Sequence, residues 1–371
     1  MLAAQVVAAV AAVVWLGLAL GHGRSWRTSV RLPPAGADPV RWPSVVAVVP
    51  ARDEAAVLPL TVPTLVGQRY PGPWRVVVVD DDSSDGTGAL AAGLGADVVA
   101  GAGPPPGWAG KVAAMQAGVS AAGHPDYLLF TDADIAHAPH LARDLVRAAT
   151  THGLDLTSQM ARLRVVTGWE RLVVPAFVYF FAQLYPFALV NRGRIAAAAG
   201  GCMLVRREAL EAAGGLVRIR DAVIDDVALG RLLGARGPIW LGLAGGVASV
   251  REYPRLSDLW DMVARSADTQ LRHSLTLLGG TVVGLLLVYV VPPVALVAGL
   301  AAGDVPLAAL GGGTWAVMTA TYVPMLRYHR LGAWRAVTLS FVAVLYAAMT
   351  VDSARRHRRG GARWKGRSTR G

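Results

Sequence analysis

The chain has 371 residues, 54% of them hydrophobic and only 16% charged, a balance too apolar for a wholly soluble protein. Its formal net charge of +11 sits largely at one end: residues 355–370 hold 8 of the 36 Lys and Arg and no acid, which leaves the body near +3. This distribution excludes a nucleic-acid-binding face and predicts a basic tail (353–371) that meets anionic lipid headgroups. A single cysteine, Cys202, excludes a disulfide framework and a cysteine-based metal centre, and reads as a small buried residue.

The first element is residues 2–20, nineteen residues in which Gln5 is the one clearly polar side chain. As a helix they extend about 28 Å, close to a bilayer core. Neither a basic start nor a small-residue cleavage site precedes Arg24, so residues 1–22 read as an uncleaved anchor. Arg24, Arg27, Arg31 and Arg41 follow it and predict a cytoplasmic domain next.

Residues 44–255 alternate apolar runs with helical stretches, the pattern of an α/β domain. Val45-Val-Ala-Val-Val49 reads as a buried strand ended by Pro50, with Ala51-Arg-Asp-Glu54 at its exit and a helix to about Gly67. Arg75-Val-Val-Val-Val-Asp80 is a second strand, followed at once by Asp81-Asp-Ser-Ser-Asp-Gly-Thr87; Asp85 is placed to cap the next helix. Asp97-Val-Val99 is a short third strand. After a Gly/Pro loop, Lys111 leads a helix to about Ala122. Tyr127-Leu-Leu-Phe-Thr131 is the fourth strand, and it ends in Asp132 and Asp134. Carboxylates two apart at a strand exit suit a hard divalent cation, while a solvated turn before Pro139 is the plainer alternative. Three strand ends thus deliver polar clusters to one sheet edge, where open α/β sheets bind ligands. No Gly-x-Gly-x-x-Gly follows a strand and no Gly-x-x-x-x-Gly-Lys-Ser/Thr occurs, so the two common nucleotide-phosphate fingerprints are missing.

Val48-Val-Pro-Ala-Arg-Asp-Glu54, Val79-Asp-Asp-Asp-Ser-Ser-Asp-Gly-Thr87, Gly110-Lys111, Thr131-Asp-Ala-Asp134, Gly200-Gly-Cys-Met-Leu-Val-Arg206 and Ile224-Asp-Asp-Val-Ala-Leu229 resemble, in order and spacing, the motifs of family 2 glycosyltransferases with the GT-A fold. The likeness covers residues 44 to about 275. With the apolar segments and the endings Ala347-Ala-Met-Thr-Val-Asp-Ser353 and Trp364-Lys-Gly-Arg367, the chain looks like the hopene-associated (HpnB-type) members. The resemblance implies a nucleotide-sugar donor contacted by Pro50, Arg52, Asp53 and Glu54, with either Asp80 or Asp81 on the base. It implies Mg²⁺ or Mn²⁺ on Asp132 and Asp134, with Asp132 also facing the donor. Lys111 is a candidate phosphate partner or a solvated lysine at a helix start. Asp226 matches the family's general base, with Asp225 orienting it or capping the helix. The third acid, Asp82, departs from the family pattern and fits an exposed turn. Gly200 and Gly201 would let an acceptor approach closely.

Residues 256–274 mix Leu256, Leu259, Trp260, Met262 and Val263 with Arg265, Arg272 and His273, which predicts an amphipathic helix on a membrane surface. Gln270-Leu-Arg-His273 echoes the Gln-x-x-Arg-Trp motif of processive members and places Gln270 and Arg272 among the donor-contacting residues; the missing Trp argues against processive synthesis. Residues 172–190 are apolar enough to span a bilayer, but one crossing there would put Asp134 and Asp226 on opposite sides. We therefore expect paired interfacial helices broken near Pro186. Residues 275–352 hold three apolar blocks, at 275–302, 305–326 and 336–351, the first interrupted by Pro292-Pro293. The expectation is an inverting glycosyltransferase of the plasma membrane, multi-pass, with its domain in the cytoplasm and a hopanoid or related lipid as acceptor. A polyprenyl-phosphate sugar transferase, a polysaccharide synthase and an inactive sugar-nucleotide-binding membrane protein are the alternatives.

Overall fold

The computed structural model describes residues 1–360, 363–364 and 367–368; part of the basic tail, including Lys365 and Gly366 of the terminal motif, lies outside the described residues. The chain forms two compact units, one of Met1–Thr28, Val165–Ala188 and Tyr253–Ala362, the other of Ser29–Arg164, Leu189–Glu252 and Arg363–Gly371. Helix α1 (Leu2–Leu16) opens the first unit.

The second unit carries the α/β domain. It runs β1 (Val45–Ala51), α2 (Leu58–Val66), β2 (Trp74–Asp80), α3 (Thr87–Gly93), β3 (Asp97–Ala100), α4 (Gly110–Ala121) and β4 (Tyr127–Phe130), each within two residues of the predicted strands. Then come β5 (Ile135–His137), α5 (Leu141–His152) and β6 (Leu156–Arg162). After α6 (Gly168–Leu184) and α7 (Phe187–Val190), the domain resumes with β7 (Met203–Arg206), α8 (Arg207–Ala212), α9 (Asp225–Gly234) and β8 (Ile239–Ser249). The eight strands form one sheet in the order β3-β2-β1-β4-β7-β6-β8-β5. Strand β1 lies between β2 and β4, parallel to both, and all seven of its residues are buried, which is why it reads as an unbroken apolar run. The register sets Ala51 beside Asp80 and Asp80 beside Ala100, so neighbouring strands release their polar loops at one edge. Behind that edge, Val49, Leu58, Leu129 and Leu145 pack in the core.

Strand β6 pairs antiparallel with β7 in this sheet, and α6 and α7 lie between them in sequence. A single bilayer crossing by residues 168–190 would separate two hydrogen-bonded strands, so that reading is excluded. The predicted break near Pro186 is present, between Leu184 and Phe187.

The first unit is helical: α10 (Leu256–Ala264), α11 (Ala267–Gln270), α12 (Leu275–Leu285), α13 (Val291–Ala302), α14 (Val305–Tyr328) and α15 (Leu339–Gly360) join α1 and α6. The single surface helix expected over 256–273 is instead α10 and α11, followed by a turn in which Arg272 and His273 both have positive φ, 53° and 57°. Pro292-Pro293 does not interrupt its block. The prolines occupy the first turn of α13, where their missing N–H groups cost nothing, and a π turn at Leu286–Val290 joins α12 to α13. Tyr179 of α6 is fully buried and packs edge-on against Tyr322 of α14 at 5.1 Å, not turned outward as a purely interfacial helix would place it. Among the described residues, four helices are long and apolar enough to cross a membrane: Leu2–Gly21, Gly168–Val190, Leu275–Ala302 and Ala333–Arg359. Helix α14, read from sequence as a membrane block, is not among those four.

Candidate active site

The exits of β1 and β2 are laced together by backbone-to-side-chain hydrogen bonds. Asp53 N donates to Ser83 Oγ at 3.0 Å, Glu54 N to Thr87 Oγ1 at 2.9 Å and Ala55 N to Asp85 Oδ2 at 2.9 Å, while Asp53 Oδ1 accepts from Ser84 N at 2.9 Å. Asp85 Oδ1 also accepts from Thr87 N at 3.0 Å, but the N-cap of α3 is Gly86, so Asp85 sits one residue before the capping position expected of it. Its carboxyl is held below the usual range chiefly by the Thr87 hydroxyl. Arg52 leans across the cluster, donating to the Asp81 carbonyl and lying 3.8–4.0 Å from the Asp53, Asp81 and Asp82 carboxylates. Asp81 is buried; Asp82 takes a φ of 57° with its side chain 72% exposed, the exposed turn read from sequence. Asp80 Oδ1 accepts from Ser83 N at 3.1 Å. Its other oxygen would lie 2.4 Å from a Cβ at Gly88, so α3 needs a glycine there to make room for that carboxylate. Pro50, in β1, pairs with Val79.

The second cluster gathers side chains distant in sequence. From the start of α4, Lys111 Nζ reaches Asp132 Oδ1 at 2.7 Å and Asp225 Oδ2 at 3.0 Å. Asp225 and Asp226 open α9, and Asp226 Oδ2 accepts from Gly200 N at 2.8 Å. A Cβ at Gly200 would lie 3.3 Å from Lys111 Nζ and 3.4 Å from Asp226 Oδ2, so glycine leaves room for both charges. Burial works against the Lys111 ammonium, yet Asp132, Asp225 and Asp226 hold its pKa well above the usual value. Asp132 is pushed up by burial, which the Lys111 charge opposes and the Asp134 and Asp225 carboxylates reinforce. Asp226 is raised to about 7, first by burial and then by the Asp225 carboxylate, against the pull of Lys111 and the N–H groups of Val227 and Gly200. Lys111, which sequence offered as a phosphate partner or a solvated lysine, is here a counter-ion joining two acidic motifs. Cys202 is fully buried, and burial pushes its thiol up to about 12.

Asp134 points elsewhere. Its Oδ2 accepts from Ser249 Oγ at 2.9 Å and from Arg251 Nε at 3.0 Å, and Arg251 Nη2 bonds both oxygens of Glu54 at 2.7 and 2.9 Å. Arg251 thus ties the β1 exit to the metal motif. Sequence reading missed it, because a lone arginine following β8 carries no motif. His137 was missed as well: it is buried, its pKa lowered by that burial to about 4, and its ring lies 3.2 Å from the Thr131 hydroxyl.

A divalent cation fits this edge. Asp132 Oδ1 and Asp134 Oδ2 are engaged, and among the described residues no hydrogen bond reaches the other oxygen of either carboxylate. Two carboxylates, with the Asp134 charge close enough to push Asp132 up, offer the oxygen donors that suit Mg²⁺ or Mn²⁺. Gln270 and Arg272 belong to the helical unit: the Gln270 side-chain oxygen accepts from the Tyr185 hydroxyl at 2.9 Å, and Arg272 is exposed.

Paired acids at the exit of a central parallel strand, with a second acidic pair opening a helix beside them, define an α/β domain of the GT-A type. Residues 46–214 match the family described as Glycosyl transferase family 2. The mannosyltransferase PcManGT from Pyrobaculum calidifontis, solved in complex with GDP-Man and Mn²⁺, is similar over 94% of this chain and 99% of its own, with a TM-score of 0.59 and 18% identity; the shared feature is the fold. Mannosyl-3-phosphoglycerate synthase from Rubrobacter xylanophilus matches with a TM-score of 0.40 and 23% identity over 62% of this chain and 74% of its own. Glucosyl-3-phosphoglycerate synthase from Mycobacterium tuberculosis, in complex with Mn²⁺ and UDP-glucose, gives 0.40 and 20% over 62% and 78%. No curated protein matches the chain in sequence.

Proposed function

We propose that the protein is a membrane-bound, inverting transferase that moves a sugar from a nucleotide-sugar, a UDP-sugar first, to a lipid hydroxyl, with a hopanoid-type lipid as the leading acceptor. The observation that carries the reading is Asp226: a carboxylate fixed by Gly200 N–H, set in the same charge cluster as Asp132, and holding its proton with a pKa of about 7. A general base works best when its pKa lies near the working pH. The donor nucleoside lies along Pro50, Arg52, Asp53 and Glu54 with Asp80 or Asp81 at the base. Mg²⁺ or Mn²⁺ held by Asp132 and Asp134 supplies the charge that offsets the departing diphosphate. Asp226 takes the proton of the acceptor hydroxyl as that oxygen bonds to the anomeric carbon and the diphosphate leaves from the opposite face. Asp225, paired with Lys111, keeps α9 and Asp226 in register. The apolar helices of the other unit support membrane association, and the arginines after α1 support a cytoplasmic domain.

The test is purified protein in detergent offered UDP- and GDP-sugars with hopanoid and polyprenyl-phosphate acceptors. Transfer of UDP-sugar to the hopanoid is expected. Transfer to the polyprenyl phosphate alone would replace the acceptor class, and binding of nucleotide without any transfer would overturn the reading.

A further inference from the structure

The Gln270-Leu-Arg-His273 segment opens onto a group of donors quite unlike the all-oxygen set of Asp132 and Asp134. Asp268 of α11 is buried, and its Oδ2 meets His273 Nδ1 at 2.6 Å. His273 stacks on His357 near the end of α15, ring centroids 3.9 Å apart and planes 14° from parallel. One ligand atom from each of the three side chains lies within 4.8 Å of the other two.

The backbone goes out of its way to make this group. Arg272 and His273 are consecutive non-glycine residues with φ of 53° and 57°, a conformation that persists only where surrounding contacts enforce it. The turn is closed by His273 N donating to the Asp268 carbonyl at 3.0 Å, which returns the imidazole to the Asp268 carboxylate. Asp268 is itself anchored to α15, its N–H donating to Ser353 Oγ at 2.9 Å. The nearby Arg356 guanidinium is already engaged, at 2.6 Å from Asp261 and 2.7 Å from Asp352, so its charge is balanced by acids other than Asp268.

We propose that Asp268, His273 and His357 bind a transition-metal dication of the Zn²⁺ class, distinct from the catalytic Mg²⁺ or Mn²⁺. Two imidazoles are borderline ligands, and joined by one carboxylate they favour Zn²⁺ over Mg²⁺ or Ca²⁺. Three protein ligands leave a tetrahedral position open to water. The ion clips the turn after α11 to the end of α15, two segments 84 residues apart in sequence at His273 and His357.

The experiment uses the full chain, purified in detergent through a tag without histidine, stripped with a chelator and titrated with Zn²⁺ in excess Mg²⁺. One Zn²⁺ per chain is expected, with a rise in the thermal unfolding midpoint, and Co²⁺ in its place should show the absorption of a nitrogen-containing tetrahedral site. Asp132→Ala with Asp134→Ala should leave this binding intact. His273→Gln or His357→Gln should weaken it roughly tenfold or more, and the pair should abolish both binding and the thermal shift. Metal-free melting of each variant at the parent's temperature confirms that it has folded. Undiminished Zn²⁺ binding in the double histidine variant overturns the proposal, as does loss of the Zn²⁺ with the Asp132 and Asp134 substitutions.

Discussion

Replacing Asp226 with Asn keeps the shape of the side chain and an oxygen to accept from Gly200 N–H, but removes the group that can take a proton. The cost follows from where that carboxylate titrates. With its pKa raised to about 7 by burial and by Asp225, roughly nine in ten chains carry the ionised base at pH 8 and roughly one in ten at pH 6. The kcat/KM of the parent protein should therefore fall about tenfold between those values. A bound dication favours the ionised form and moves this limb to lower pH, so the midpoint lies at or below about 7. In the Asn variant turnover should drop by about 10²–10⁴-fold, and the acidic limb should vanish with the group that caused it. The sign for stability is opposite to that of a salt-bridged Asp. A carboxylate whose folded pKa is raised loses stability as pH rises from its unfolded value toward its folded one, so at pH 8 the Asn variant should be no less stable than the parent. The assay is sugar transfer across pH 5.5–8.5 alongside calorimetric nucleotide affinity in Mn²⁺, which should change little. Near-normal transfer with the same pH limb would refute the assignment of the base, and parallel loss of nucleotide binding would refute its separation from the donor site.

Asp132→Ala with Asp134→Ala should abolish the Mn²⁺ dependence of nucleotide binding, read by calorimetry with and without the ion; unchanged dependence would remove both from the metal site. Arg251→Met leaves Glu54 and Asp134 without their shared cation, a change of about 3–5 kcal/mol for a fully buried pair. Arg251 is 31% exposed, so we expect about 2 kcal/mol and a Tm lowered by about 4–8 °C, with Lys recovering less than half because it lacks the planar fork. Cysteines at Val166 and Arg192 should be labelled from the same face of sealed vesicles, because β6 and β7 share one sheet. Buried Cys202 keeps the background low, and labelling from opposite faces would refute that topology.

The half of the domain from β1 to β4 was legible because parallel central strands are apolar on both faces and each ends in a polar loop. The acidic motifs were legible for the same reason: carboxylates that interrupt a buried run have few structural uses. Strand β6 was not, because Leu156-Thr-Ser-Gln-Met-Ala-Arg162 looks like an exposed polar stretch. Thr157, Ser158 and Gln159 are nonetheless buried. Ser158 is satisfied by the backbone of Ala199, 3.1 Å to its carbonyl and 2.9 Å from its N–H, and such pairing across some forty residues leaves no periodic trace. The Gly200 region read as a loop, yet Met203–Arg206 is strand β7, the partner that β6 needs.

The site divides along the same line. Motif spacing singled out Asp132, Asp134, Asp226 and Lys111, but neither Arg251 nor the counter-ion contacts that Lys111 makes. Lys111 sits between Asp132 and Asp225, so it couples the metal motif to the helix that carries the base. Arg251 joins Asp134 to Glu54, so it couples that motif to the donor loop. Asp132 and Asp134 each have one oxygen committed to a protein cation, whereas both oxygens of Asp226 accept from backbone N–H groups, of Gly200 and Val227. Lys111, read from sequence as a phosphate partner or a solvated lysine, is a counter-ion here; a divalent ion at Asp132 would compete for the carboxylate that Lys111 holds.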